Sequence, residues 1–363
     1  MTSPPEYVLV TGATGFIGAH IVDELLSRGI RVRGATRSIA KGEAMLKARP
    51  QYAGKLDFVQ VPDFGQVNNT EALSIFDEAV KGVDGIIHTA SPVTYDTTDN
   101  EAELILPAIN GVRAILAAAA NANANASRDP NSNNNNNKRP IRRLVLTSSF
   151  AAVLDASRKA PPYFTYTGAD WNPISYAEAA DPAASAVVAY RGAKKFAEQA
   201  AWDFVRARRG CGFDLVTLCP PMTFGPVAHP VAGAARLNES NAVLWRAASG
   251  AGPLPVARVP FWIDVRDLAR AHVEALLRPE AGGKRFLPAA PERFTYALAA
   301  RIVEEEFAWA KGRVSREEQA VDESHGVDGE TAARELGLEY RRFRQSVTDL
   351  VAQVAAMDGS GLT

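Results

Sequence analysis

Tyr7-Val8-Leu9-Val10-Thr11-Gly12-Ala13-Thr14-Gly15-Phe16-Ile17-Gly18 places a short apolar run directly before a glycine loop. A helical pattern follows at Ile17, Ile21, Val22, Leu25 and Leu26 and stops at Gly29. That order predicts a buried strand, a tight turn and a helix. Gly12 suits the turn, Gly15 lets the backbone approach an anion, and Gly18 lets the helix pack close to the strand. Unpaired N–H groups at a helix N-terminus favour negative charge, so Thr11, Gly12, Gly15, Phe16, Ile17 and Gly18 are candidates to hold the pyrophosphate of a dinucleotide. An ordinary turn would use glycines too; the strand before and the helix after favour the binding reading.

Working outward, Ile30 to Thr36, Leu56 to Val61, Gly85 to His88, Leu144 to Thr147 and Phe213 to Cys219 are further candidate strands, separated mostly by segments of helical character. Such alternation predicts an α/β fold, a doubly wound parallel sheet of the Rossmann kind, with ligands at the carboxyl ends of the strands. After Cys219 the pattern loosens into Pro220-Pro221, Gly225-Pro226 and His229-Pro230, as expected of a smaller C-terminal substrate lobe. The expected division is a dinucleotide-binding domain over 1–220, returning at about 258–278 through Phe261-Trp262-Ile263-Asp264, and a substrate lobe over 221–257 and 279–363. Asn121 to Lys138 is asparagine-rich and cannot build a core, so 121–138 is expected to be a disordered surface insertion.

With 363 residues, 47% of them hydrophobic, the chain can bury a large core, and a formal net charge of −1 gives no field to attract nucleic acid or an anionic membrane. Arg206, Arg208 and Arg209 suit a helix end and solvent. Met1 to Glu6 lacks a basic segment followed by an apolar one, and no later run approaches about 18 uninterrupted apolar residues, so a cytoplasmic protein is expected. The glycosylation-like patterns at Asn68, Asn125 and Asn238 are then incidental, and Cys211 and Cys219 read as free structural thiols. Five histidines, at 20, 88, 229, 272 and 325, have no ligand spacing, so no metal is expected.

The second strand ends Gly34-Ala35-Thr36-Arg37-Ser38, and no acid appears until Glu43. An NAD site wants a carboxylate here for the ribose 2′-hydroxyl, whereas Arg37, with Lys41 one turn later, suits a 2′-phosphate. NADPH/NADP is therefore the expected cofactor. Asp63, just beyond the third strand, is a candidate for the adenine amine or else a cap or turn residue. Ala90, Ser91 and Pro220, at the ends of neighbouring strands, line the cofactor through their backbone or else simply pack there.

Leu144-Val145-Leu146-Thr147-Ser148-Ser149 is a strand ending in hydroxyls at the ligand edge, where Ser149 can hydrogen-bond a carbonyl. Far downstream, Tyr190-Arg191-Gly192-Ala193-Lys194 puts a phenol and an ammonium on one helix face, about 5–6 Å apart at Cβ. The positive charge favours the phenolate, so Tyr190 can act as an acid. Any helix can carry such a pair for surface reasons. Behind a dinucleotide loop it predicts a nicotinamide-dependent carbonyl reductase.

In this order, the glycine loop, the Thr147-Ser148-Ser149 strand end and the Tyr190/Lys194 pair resemble the extended short-chain dehydrogenase/reductases. Ala189 to Glu198 with Ala201-Trp202-Asp203-Phe204, Gly85 to Val93, Pro107 to Gly111 and Phe261 to His272 are similar to yeast-type NADPH-dependent methylglyoxal and aldehyde reductases, kin of the dihydroflavonol reductases. The likeness runs from about Tyr7 to beyond Leu336-Gly337. It implies that Tyr190 donates the proton to the carbonyl oxygen, Ser149 hydrogen-bonds that oxygen, and Lys194 binds the nicotinamide ribose and steadies the phenolate. Asn110 matches a position that holds a proton-relay asparagine in some relatives. Leu154, five after Ser149, offers no hydrogen bond to a hydroxylated ring, which argues against a flavonoid, and Pro221-Met222-Thr223 departs from the family pattern. The expected protein is a monomer or homodimer acting on a small-molecule carbonyl, with no nucleic acid or membrane partner. Alternatives are a dedicated biosynthetic ketoreductase or hydroxysteroid dehydrogenase, a sugar-nucleotide epimerase, and a non-catalytic NADP(H) sensor.

Overall fold

Val8, Leu9 and Val10 are each fully buried, which an unbroken apolar run achieves only in a central strand covered on both faces. The computed structural model describes residues 4–62, 74–91, 97–128, 139–208, 210–257 and 259–357. Its strands are β1 (Tyr7–Thr11), β2 (Arg31–Thr36), β3 (Leu56–Gln60), β4 (Gly85–His88), β5 (Arg143–Thr147), β6 (Phe164–Tyr166), β7 (Asp214–Leu218), β8 (Met222–Phe224), β9 (Trp262–Asp264), β10 (Arg285–Phe286) and β11 (His325–Val327). Its helices are α1 (Phe16–Ser27), α2 (Ile39–Lys47), α3 (Leu106–Arg128), α4 (Tyr176–Ala180), α5 (Ala186–Ala207), α6 (Glu239–Ala248), α7 (Val265–Leu277), α8 (Tyr296–Glu306), α9 (Gly329–Leu336) and α10 (Phe343–Met357).

Seven strands form one sheet in the order β10-β7-β5-β4-β1-β2-β3, every pairing parallel. The chain runs outward from β1 to β3 and then returns to β4 on the other side of β1. The order therefore reverses between β1 and β4, where open α/β sheets leave a crevice for ligands. Ile21, Val22 and Leu25 of α1, Val273 and Leu276 of α7 and Ala332 and Leu336 of α9 fill one face of the sheet. On the other face the alanine-rich sides of α3 and α5 pack together. Glu101–Ser127 is long and apolar enough to cross a membrane, yet 67% of its most apolar window is buried inside the protein, as in a core helix.

A smaller lobe has its own core. Phe224, Trp262, Phe294 and Phe343 meet edge to face or tilted, with Trp262 and Phe343 centroids 4.9 Å apart, and Leu244 of α6, Val303 of α8 and Val347 of α10 close around them. The expected division needs two corrections. Arg285 and Phe286, inside the range 279–363 assigned to the lobe, pair with Thr217 and Leu218 as the edge of the main sheet, and α9 covers that sheet. Conversely, β6 lies inside 1–220 but pairs with β11. Both exchanges bury apolar residues that local pattern could not assign to a partner.

The asparagine-rich stretch also departs from expectation. Residues 121–128 are not disordered but continue α3, while 129–138 lie outside the described residues. Asn123 is the reason composition misled: it is buried and takes the place of a strand neighbour for Ile141. Its Nδ2 donates to the Ile141 carbonyl at 2.9 Å and to the Cys211 carbonyl at 3.2 Å, and its Oδ1 accepts from the Ile141 N–H at 2.9 Å. Asn123→Ala would strand a buried N–H and C=O together. We expect urea denaturation to register a loss of about 2–3 kcal/mol.

Candidate active site

Gly12 adopts φ +65°, and a Cβ there would lie 2.7 Å from Thr89 Oγ1. On Gly18 a Cβ would lie 2.1 Å from the Gly12 carbonyl oxygen, so only glycine lets the first turn of α1 sit this close to the loop. Among the described residues no side chain caps α1, and its first turn carries no acid, which leaves its N–H groups facing the crevice for an anion. The tips of β1 and β4 are locked by hydroxyls. Thr11 Oγ1 accepts from the Thr89 and Ala90 N–H groups at 3.1 Å and meets His88 Nδ1 at 2.8 Å, and Thr89 Oγ1 donates to the Thr11 carbonyl at 2.7 Å. Thr11 thus borders the crevice with its hydroxyl already engaged.

One cavity of about 690 Å³ runs along the carboxyl edge of the sheet. Gly12, Gly15, Phe16, Ile17 and Gly18 line it, with Thr11, Ala90, Ser91 and Pro220 from the strand ends and Ser149, Tyr190 and Lys194 at its inner end. Arg37, following β2, and Lys41, in the first turn of α2, line its outer end, both exposed. The Arg37 carbonyl accepts from Gln60 Nε2 at 3.2 Å, and Ser38 caps α2 by accepting from the Lys41 N–H. Asp63 lies outside the described residues. Asn110 is on α3 and does not line this cavity.

Tyr190 and Lys194 project from α5, with Lys194 Nζ 6.0 Å from the Tyr190 ring centroid. Burial pulls the Lys194 ammonium down to about 8, with the charge of Glu198 opposing the fall, so the charged form still predominates at neutral pH. Burial and that same ammonium push His88 down to about 3, which keeps it neutral. Ser149 Oγ accepts from the Ala151 N–H at 3.1 Å and keeps a proton to donate. Sequence reasoning missed the residue that sets these groups against one another. Asn172 Nδ2 donates to the Ala151 carbonyl at 2.7 Å and to the Arg191 carbonyl at 3.1 Å, tying the Ser149 loop to the Tyr190 helix. A lone asparagine in a loop carries no periodic signal that could have found it.

The fold and the crevice define a dinucleotide-dependent enzyme class, and the chain belongs to the NAD dependent epimerase/dehydratase family, whose model matches residues 8–287. Among relatives, the NADPH-dependent methylglyoxal reductase GRE2 of Saccharomyces cerevisiae is 31% identical, with 97% of this chain and 99% of that protein covered. Ketoreductase azaE of Aspergillus niger is 32% identical, with 98% and 99% covered. The crystal structure of the yeast methylglyoxal/isovaleraldehyde reductase Gre2 complexed with NADPH superimposes with a TM-score of 0.84 at 30% identity, covering 97% of this chain and 99% of that one.

The residues present fit such a dinucleotide: a cradle that a Cβ would fill, unpaired helix N–H groups, and two cations at the outer end. Gly18→Ala tests the cradle. It should weaken dinucleotide binding at least ~10-fold by fluorescence titration, because the added methyl forces α1 away from the loop.

Proposed function

We propose that this protein is an NADPH-dependent reductase that converts aldehydes or ketones to alcohols. The observation that carries the reading is the single cavity that joins Arg37 and Lys41, the glycine loop, and Ser149 with Tyr190 and Lys194. When bound, NADPH supplies a hydride to the carbonyl carbon. The glycine loop and α1 hold its pyrophosphate, Arg37 and Lys41 its 2′-phosphate, and Lys194 its nicotinamide ribose. Ser149 donates a hydrogen bond to the substrate oxygen as negative charge grows there, and Tyr190 gives that oxygen its phenolic proton. The Lys194 ammonium then stabilises the phenolate left behind.

Phe150, Leu154, Val187, Pro221, Met222 and Val259 give the substrate end of the cavity an apolar lining, which supports carbonyls with hydrocarbon substituents. The fungal ketoreductase relative favours a second reading with the same chemistry, a dedicated biosynthetic ketone as substrate.

The deciding experiment follows NADPH absorbance with small aldehydes, dicarbonyls, aryl ketones and steroid ketones, with NADH in parallel. Turnover with NADPH in preference to NADH is expected; tight NADPH binding with no turnover on any carbonyl would overturn the reading in favour of a binding-only protein. Tyr190→Phe should lower kcat at least ~10²-fold while NADPH still binds, since only the general acid is lost. Arg37→Ala should raise the KM for NADPH at least ~10-fold and leave that for NADH nearly unchanged, because only the phosphate contact is removed.

A further inference from the structure

Glu198 lies one turn beyond Lys194 on α5, and its side chain is wholly buried, 0% exposed. Its Oε1 accepts from Arg285 Nε at 2.8 Å, Thr217 Oγ1 at 2.7 Å and, more weakly, Trp202 Nε1 at 3.4 Å. Oε2 accepts from Ser148 Oγ at 2.6 Å, Arg285 Nη2 at 3.1 Å and Cys219 Sγ at 3.5 Å. Arg285 lies over the Trp171 ring, 3.8 Å from its centroid, and donates further to the carbonyls of Gly168 and Asp170. An ion pair taken this far from water adds little stability over an apolar packing of the same shape, so its presence calls for another explanation.

The partners of Glu198 supply one. Ser148 adjoins Ser149, Thr217 and Cys219 lead to Pro220, and Glu198 shares a helix with Tyr190 and Lys194. A single carboxylate therefore joins the strand ends that form the inner wall of the cavity to the helix that carries its acid. A small cavity beside it is lined by both Lys194 and Glu198.

Charge points the same way. Around Lys194, Tyr190 and Glu198 come from its own helix, Cys219 from the end of β7, His88 from β4, and Arg285 from β10. Burial, and the charge of Glu198 after it, push the Cys219 thiol far above its ordinary range, so it is uncharged at physiological pH. His88 is neutral and Arg285 is a cation. Of these groups, Glu198 is the one that carries negative charge.

We propose that Glu198 is a positioning residue of the reductase site, a buried carboxylate oriented by Arg285 that keeps Lys194 charged and fixes the strand end bearing Ser149. The inference rests on the reductase reading for its catalytic consequence but not for its electrostatic one. Competitive acetylation of lysines with acetic anhydride across pH, on protein free of cofactor, reads the titration midpoint of Lys194, about 8 in the unaltered protein. Glu198→Gln keeps the side-chain shape and removes the charge, and the midpoint should fall by about one pH unit or more.

An ammonium is lost as pH rises through its pKa, so the alkaline limb of the kcat/KM profile for NADPH, which reports the free enzyme, should move to lower pH. At pH 8 the charged fraction of the free enzyme would drop from about a half to about a tenth, a loss of about fivefold in kcat/KM for NADPH. An unmoved midpoint with an unmoved limb overturns the proposal. If Glu198→Gln does not fold, Arg285→Gln serves with the opposite sign: it leaves the carboxylate without its cation, and the Lys194 midpoint should rise. A midpoint that stays or falls overturns the proposal. If the midpoint moves as expected but the unaltered protein reduces no carbonyl, the reductase reading fails while the charge relation stands.

Discussion

The missing Cβ of Gly18 controls where α1 can lie. With the Gly12 carbonyl oxygen 2.1 Å from where that carbon would be, α1 comes down on the end of β1 and its N-terminus faces the crevice between β1 and β4. The crevice exists because the sheet order reverses at that point. Because every pairing in the main sheet is parallel, the residues following β1, β4, β5 and β7 all emerge on the same edge. Ala90, Ser149 and Pro220 reach one cavity for that reason, without any loop having to cross the sheet.

Two arginine–carboxylate pairs hold β7, one at each end, and their surroundings differ in a way that separates scaffold from site. At the start of the strand, Arg143 Nε meets Asp214 Oδ1 at 2.6 Å, but the Asp214 side chain is 42% exposed. Water shares the solvation of that pair, and Arg143 adds a bond to the Ala275 carbonyl at 2.9 Å, which ties α7 to the sheet. It is an inexpensive clamp. At the cavity end, Glu198 and Arg285 are 0% and 7% exposed, and protein groups must offset nearly all of the cost of desolvating them. The more deeply buried pair is the one placed beside the Lys194 ammonium, where a low local dielectric lets one charge act strongly on another.

Local periodicity carried most of what could be read in advance. The glycine loop, the strand runs, and the spacing of Tyr190 and Lys194 are all set within a few residues, so pattern alone placed them on a turn, on strands and on one helix face. Contacts between distant positions were not legible. In sequence, Glu198 is an unremarkable charge in Ala197-Glu198-Gln199, and nothing there announces that Arg285, 87 positions away, will bury it. Asn123 failed in the opposite direction: composition marked its surroundings as unable to build a core, yet the paired bonds to Ile141 make that asparagine part of one. With only two residues, β10 was too short to show a period, so its place at the sheet edge depended on β7 being there to receive it.

The groups proposed for chemistry and the wall beside them come from different parts of this molecule. The groups proposed to bind the dinucleotide and move the proton sit on the sheet and on α5, while Met222, Thr223, Asn238, Glu239 and Ser240, which border the same cavity, belong to β8 and the start of α6. That wall is held firmly. Asp264, fully buried at the end of β9, is gripped by Arg266, which reaches Asp349 of α10 at 2.6 Å, and by Ser346 of the same helix. Thr223 and Phe224 of β8 pair with Ile263 and Asp264 of β9, so the position of the wall is inherited from this ion network rather than from the substrate. The departure from the family pattern at Pro221-Met222-Thr223 falls on that wall and leaves Ser149, Tyr190 and Lys194 untouched. On the proposed reading, a change there would bear on which carbonyl fits rather than on how it is reduced, and for that reason the chemistry of this chain is far more legible than its substrate.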